Sequence, residues 1–159
     1  MSREGGCFCG AVRYELLKDP MFVQCCHCLD CQKQTGGAFA INALIETKYI
    51  NLTKGSPTST AMPTESGHPH DIWRCGDCQT ALWSDYGGRA YLRFLRVATL
   101  DEPHAIEPAV HIFTRSKVRW VHLPENARMF PVYYEIDKEW PAESLQRRAQ
   151  MREEARRSV

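Results

Sequence analysis

The chain has 159 residues, 43% of them hydrophobic, and a formal net charge of +1. That length suits one domain with a sizeable core and is short for two. The charge balance supplies neither a broad basic field for nucleic acid nor an acidic tail, and no apolar run is long enough to span a bilayer.

Residues 1–6 are polar and run straight into Cys7, with no signal-peptide core, so a cytoplasmic protein is expected. In a reducing compartment disulfides do not persist, and the eight cysteines read as thiolate metal ligands rather than as a disulfide framework. They fall into three local groups: Cys7 and Cys9, then Cys25, Cys26, Cys28 and Cys31, then Cys75 and Cys78. A C-x-C pair on a strand shows both sulfurs to one face, so Cys7 and Cys9 are expected to share an ion. Residues 11–17 alternate as a strand with Val12, Tyr14 and Leu16 on one face, ended at Asp19-Pro20. A second strand, 21–24, delivers the chain into the cysteine cluster. Residues 32–35 predict one helical turn stopped at Gly36-Gly37, and 38–45 a buried strand.

Further short strands are expected at 49–52 and 58–62, with a polar loop over 63–69. Cys75 and Cys78 then stand at the tip of a hairpin between 71–74 and 80–86, with Gly76 supplying the permissive backbone. Strands at 90–97, 111–114 and 118–121 follow, the first two joined by a proline-bounded connection over 101–108. Short strands so spaced describe an antiparallel β domain. Trp73, Trp83, Phe94 and Trp120 are candidates for its core. In the tail, 130–136 is expected to pack back on the domain and 139–157 to be helical. Pro141 and Glu143 stand early and the arginines late, as the helix dipole favours. Its thin stripe of Leu145, Ala149 and Met151 reads as a solvated helix rather than an oligomer-forming or nucleic-acid-binding arm.

The ligand arithmetic gives two sites. Cys7, Cys9, Cys75 and Cys78 make a four-thiolate set of the kind that holds a structural zinc. Cys25 and Cys26, adjacent on extended backbone, point to opposite sides, which leaves Cys26, Cys28 and Cys31 at C-x-C-x-x-C spacing as the second set. Three protein ligands leave a fourth position open, the mark of a catalytic zinc. The alternatives are closure by Cys25, His68 or His70, and iron in place of zinc. His27, between two ligands, is expected to be a packed histidine rather than a proton shuttle. Asp30 and Asp77 are expected to accept backbone hydrogen bonds.

Four stretches then resemble a known family, the glutathione-dependent formaldehyde-activating enzymes together with centromere protein V. They are Gly6-Cys7-Phe8-Cys9-Gly10-Ala11-Val12-Arg13-Tyr14, residues 26–39 from Cys26-His27-Cys28 to Gly36-Gly37-Ala38-Phe39, and Cys75-Gly76-Asp77-Cys78 continued by His111-Ile112-Phe113-Thr114-Arg115-Ser116-Lys117-Val118-Arg119-Trp120, so that the resemblance covers roughly residues 5 to 123. The resemblance implies a zinc-bound β-tent fold, so a mainly β, antiparallel domain is expected over 1–124, while the extension at 125–159 with its C-terminal helix lies outside the resemblance. The resemblance also implies two zinc ions: a structural one on Cys7, Cys9, Cys75 and Cys78, and a catalytic one on Cys26, Cys28 and Cys31. Cys25 is extra to the pattern.

Three thiolates leave a divalent ion with net charge −1, poor at activating water and good at holding another thiolate. That chemistry suits a carbon–sulfur lyase or synthase. Glutathione as co-substrate and formaldehyde as the aldehyde, giving S-hydroxymethylglutathione, are what the resemblance adds. Arg74, Arg89, Arg93, Arg96, Arg115, Lys117 and Arg119 are candidates to meet the thiol's carboxylates. The partners are then a small thiol and an aldehyde, with a homo-oligomer left open. The alternative class is a zinc-stabilised binding module without catalysis.

Overall fold

A computed structural model describes residues 3–158. In chain order the elements are β1 (Arg3–Gly6), β2 (Arg13–Leu16), β3 (Phe22–Cys26), α1 (Leu29–Thr35), β4 (Ala40–Glu46), β5 (Ile50–Lys54), β6 (Thr58–Ala61), β7 (His70–Arg74), β8 (Ala81–Tyr86), β9 (Leu92–Arg96), β10 (Val110–Ile112), α2 (Ile136–Glu139) and α3 (Ala142–Arg157). The fold is mainly β. One sheet has three strands in the order β1-β2-β5, and the other has seven in the order β10-β3-β4-β9-β8-β7-β6. Neighbours are antiparallel except that β10 lies parallel to β3. A parallel neighbour needs a long crossover, and here most of the chain intervenes between the two strands.

Both faces of the large sheet are covered, so β4 reads as a continuous apolar run instead of alternating. Ala43 and Ile45 pack with Tyr14, Leu16, Trp83 and Leu95 on one face. Leu44, Phe22, Phe94, Val110 and Ile112 pack with Tyr134, Trp140 and Met151 on the other. Val12, Tyr14 and Leu16 are all buried, as the alternation at the start predicts. Tyr14 meets Trp83 edge-on at 5.8 Å between centroids.

The tail departs from a solvated helix. Trp140 is buried against Phe22, Ser144 donates to the Met21 carbonyl at 2.6 Å, and Met151 is buried. Arg147 donates twice to Glu46, at 3.0 and 2.6 Å. Polar anchors at Ser144 and Arg147 and the buried Met151 hold α3 to the sheet, which a count of its sparse apolar residues does not register. The helix expected over 139–157 is present as α3 from Ala142 to Arg157, and the chain breaks at Trp140-Pro141 between it and the one-turn α2 that ends at Glu139.

Three other expectations change. Residues 118–121 form a turn, with Lys117 Nζ donating to the carbonyls of Val118 and Val121, and Trp120 is 71% exposed instead of in the core. The strand expected at 111–114 is Val110–Ile112, because Phe113 adopts a left-handed backbone at φ 54°. Cys7 and Cys9 lie in the turn between β1 and β2, not on a strand.

Candidate metal and active site

The turn after β1 is closed by Cys7 N–H to the Val12 carbonyl at 3.0 Å and Gly10 N–H to the Cys7 carbonyl at 3.1 Å. Gly10, at φ 74°, supplies the left-handed residue that lets the turn reverse. Cys7 and Cys9 sulfurs stand 3.6 Å apart, and Cys9 is 3.8 Å from Cys75. At the hairpin tip between β7 and β8 the left-handed residue is Gln79, at φ 61°, and not Gly76. Gln79 N–H bonds the Cys75 carbonyl and Cys75 N–H bonds the Thr80 carbonyl. Thr80 Oγ1 sits 3.1 Å from Cys78 Sγ and, with its amide, draws that thiol down to about 5. All four sulfurs lie within 4.8 Å of one another. Tetrahedral zinc–sulfur bonds require sulfurs about 3.8 Å apart, so the set fits such an ion with small adjustment.

The second set is local. Cys26 ends β3, buried, and Cys28 caps α1, its sulfur accepting the Cys31 N–H at 3.2 Å. Gly36, at φ 65°, ends the helix where the sequence predicts. The loop is pinned at His27: its N–H bonds the Ile112 carbonyl, and its carbonyl accepts Gln32 Nε2 and Ser116 Oγ, each at 2.9 Å. Cys26, Cys28 and Cys31 sulfurs lie within 4.8 Å of one another. Cys28 is drawn down to about 3 because Cys26 and then Cys31 donate to it, while Cys26 is pushed up by that same donation. By itself the triad thus favours one thiolate stabilised by two thiols. Holding three thiolates requires a cation among them, and the donor set suits a soft or borderline divalent ion.

Among the described residues, neither His68 nor His70 joins the triad. His70 packs edge-on against Tyr86 at 5.5 Å, and the His68 carbonyl accepts from Thr64. Cys25 faces the other side, as adjacent strand positions must, and meets His27 and His111. His27 Nε2 lies 3.5 Å from Cys25 Sγ and 3.0 Å from His111 Nδ1. Burial first, then the neighbouring His111 and Lys117, holds His27 down at about 4, and burial pushes Cys25 up to about 12. A nitrogen pair at 3.0 Å is a hydrogen bond between neutral rings, so His27 is a packed histidine. Sequence reasoning missed His111 as its partner, since only the parallel pairing of β10 with β3 brings them together. Asp30 accepts from the Glu65 N–H at 3.4 Å, outside its own knuckle.

The basic candidates separate by what they already hold. Arg74 bonds Gln34 and the Gln79 carbonyl, Arg89 the Tyr86 carbonyl, and Arg93 the Asp85 carboxylate. Arg115 and Arg119 are exposed. Arg96 is buried, with Asn42 Oδ1 as its side-chain partner.

A mainly β scaffold carrying two clusters of cysteines able to hold a metal defines a cysteine-rich class of protein with candidate metal sites. Residues 2–116 match the family described as glutathione-dependent formaldehyde-activating enzyme, and the chain belongs to that family. A protein of Halomonas elongata, provisionally named as a glutathione-dependent formaldehyde-activating enzyme, is 30% identical over 151 residues, covering 89% of this chain and 96% of its own. A solved structure of a Rhodobacter sphaeroides protein matches with TM-score 0.48 and 23% identity, over 66% of this chain and 91% of that one.

Proposed function

We propose that the chain is a zinc-dependent carbon–sulfur lyase of the S-(hydroxymethyl)glutathione synthase type, working in the cytoplasm on glutathione and formaldehyde. Family membership supports the activity, and the observation that carries the mechanism is the three-sulfur triad with no fourth protein ligand beside it among the described residues. In this reading Cys7, Cys9, Cys75 and Cys78 hold a structural zinc within a domain of residues 1–124, and 125–159 is an extension of it. Cys26, Cys28 and Cys31 hold the second ion. When bound there, that ion supplies an open position that keeps an incoming thiol as its thiolate.

The chain's own groups do the rest. Cys26, buried at the end of β3, fixes one edge of the triad, and the Cys28 cap and the pinned His27 carbonyl hold the other two sulfurs in register. The apolar cluster around Phe94, Ile112 and Tyr134 thins water beside the sulfurs. A thiol gives up its proton to solvent on entry. Its sulfur electron pair forms the carbon–sulfur bond to the aldehyde carbon while the carbon–oxygen π pair moves to oxygen, which then takes a proton. The reverse sequence cleaves the adduct, so one site serves both directions.

Formaldehyde adds to thiols unaided, so the test must be made at equilibrium. Exchange NMR with labelled formaldehyde is expected to show faster interconversion of glutathione and its hydroxymethyl adduct with zinc-loaded protein than with Cys28→Ser. Equal rates, with both zinc ions confirmed bound in the wild type, would favour the binding-module reading.

A further inference from the structure

Among the basic residues near the cysteines, Arg96 is the one that burial leaves without a carboxylate. Its residue exposure is 7%, and among the described residues it forms no ion pair within 4.0 Å. Its one side-chain partner is the neutral amide oxygen of Asn42, and its Nε has none. A buried charge so placed is costly unless an opposite charge stands close by. Arg93, three residues earlier on the opposite face of the same strand, shows the ordinary solution, since it has Asp85 at 3.2 Å.

The sheet register shows where the missing charge comes from. Arg96 on β9 is opposite Asn42 on β4, and Asn42 is opposite Gln24 on β3. Cys26 is opposite Ala40, two residues along from that row, so it stands on the same face. Ordinary sheet spacings put the Cα atoms of Arg96 and Cys26 about 12 Å apart, most of which an extended arginine spans. The charges that favour the cationic form of Arg96 against its burial are those of Cys31, Cys26 and Cys28, and Arg74 acts with burial against it.

We propose that Arg96 is the built-in counter-charge of the Cys26–Cys28–Cys31 metal unit, a positioning residue that lets three thiolates hold a divalent ion and still admit an anionic sulfur ligand. Three thiolates on such an ion leave −1, and a bound thiolate substrate makes −2. Arg96 returns these to 0 and −1 at short range in a buried setting, where an uncompensated dianion would be costly. The class of ligand, an anionic thiolate, rests on the proposed function. The role toward the ion rests only on that reading's placing of a metal at Cys26, Cys28 and Cys31, which the Co(II) titration tests directly.

The test uses the full chain loaded with Co(II), whose ligand-field and sulfur charge-transfer bands report each site. In competition with a chelator, Arg96→Met is expected to weaken Co(II) binding at the triad by about ten-fold or more, with Arg96→Lys recovering most of the loss. The four-cysteine cluster should keep its ion and serve as the control for folding. Asn42→Asp gives Arg96 a carboxylate of its own without removing any group from the triad, and is expected to weaken the same site. Wild-type affinity in Arg96→Met, or in Asn42→Asp should the first variant not fold, would overturn the proposal.

Titration of the loaded protein with glutathione and with imidazole then separates the two readings. Arg96→Met should lose about ten-fold in glutathione affinity and none in imidazole affinity. A wild-type protein whose bands do not respond to glutathione would count against the proposed function alone, with the chelator result still deciding the role of Arg96.

Discussion

The two cysteine clusters share a similar sulfur geometry and are assembled in opposite ways. Cys7, Cys9, Cys75 and Cys78 come from two turns far apart in sequence, so closing that set ties the three-stranded sheet to the seven-stranded one. Cys26, Cys28 and Cys31 come from one short stretch, already shaped by the α1 cap and by the bonds at His27. On the proposed function, the set drawn from distant turns would contribute to the fold itself, and the set on the pre-shaped loop would contribute little to it and keep a position for chemistry. Backbone connectivity would then separate the two roles.

The contrast breaks most visibly at the four-sulfur set. Cys75→Ser or Cys7→Ser removes a buried sulfur whose ion would supply folding free energy of about 10 kcal/mol or more, comparable to the whole stability of a domain. Loss of soluble, folded protein by circular dichroism is the expected outcome. Cys28→Ser is expected to fold, to lose one equivalent of zinc by metal analysis, and to lose the exchange activity. Equal damage from both classes of substitution would erase the distinction.

A smaller effect tests whether the extension supports the triad's face of the sheet. Arg147→Met strands the Glu46 carboxylate, which is 5% exposed, and is expected to cost about 3 kcal/mol in chemical denaturation while both ions stay bound. Acid provides the next probe. His27 is held at about 4 in the folded chain against an ordinary 6.5, so the unfolded chain takes up its proton first. That contribution to stability is whole above pH 6.5 and is lost as pH falls toward 4, to a total of about 3 kcal/mol. His27→Gln should show a correspondingly flatter decline over the same range. Least of all is expected from Cys25→Ser, which faces away from the triad: full zinc content and a stability change within about 1 kcal/mol.

Much of this was legible in the sequence because cysteine spacing and strand alternation are local signals. The grouping of sulfurs, the separation of Cys25 from Cys26, the end of α1 at Gly36 and the buried face of Val12, Tyr14 and Leu16 all follow from such signals. What escaped depends on long-range partners. Trp120 looks like core until the bonds of Lys117 fold its segment into an exposed turn. The docking of α3 rests partly on Glu46, a hundred residues away, and on Met21, so its thin apolar stripe understates how firmly it is held. Gln79, not the more obvious Gly76, takes the left-handed backbone because hydrogen bonds to Cys75 and from Arg74 to its carbonyl fix it there.

The pinning of His27 also has a meaning for synthesis. Every cysteine of both clusters has left the ribosome once residue 78 has emerged, yet the partners that shape the triad's loop, Ile112 and Ser116, come some 35 residues later. At roughly 5–20 residues per second this is a delay of seconds. During that interval the four-sulfur set has all its ligands while the triad's loop lacks its clasp. The order of emergence therefore favours the scaffold's ion being taken up before the working one.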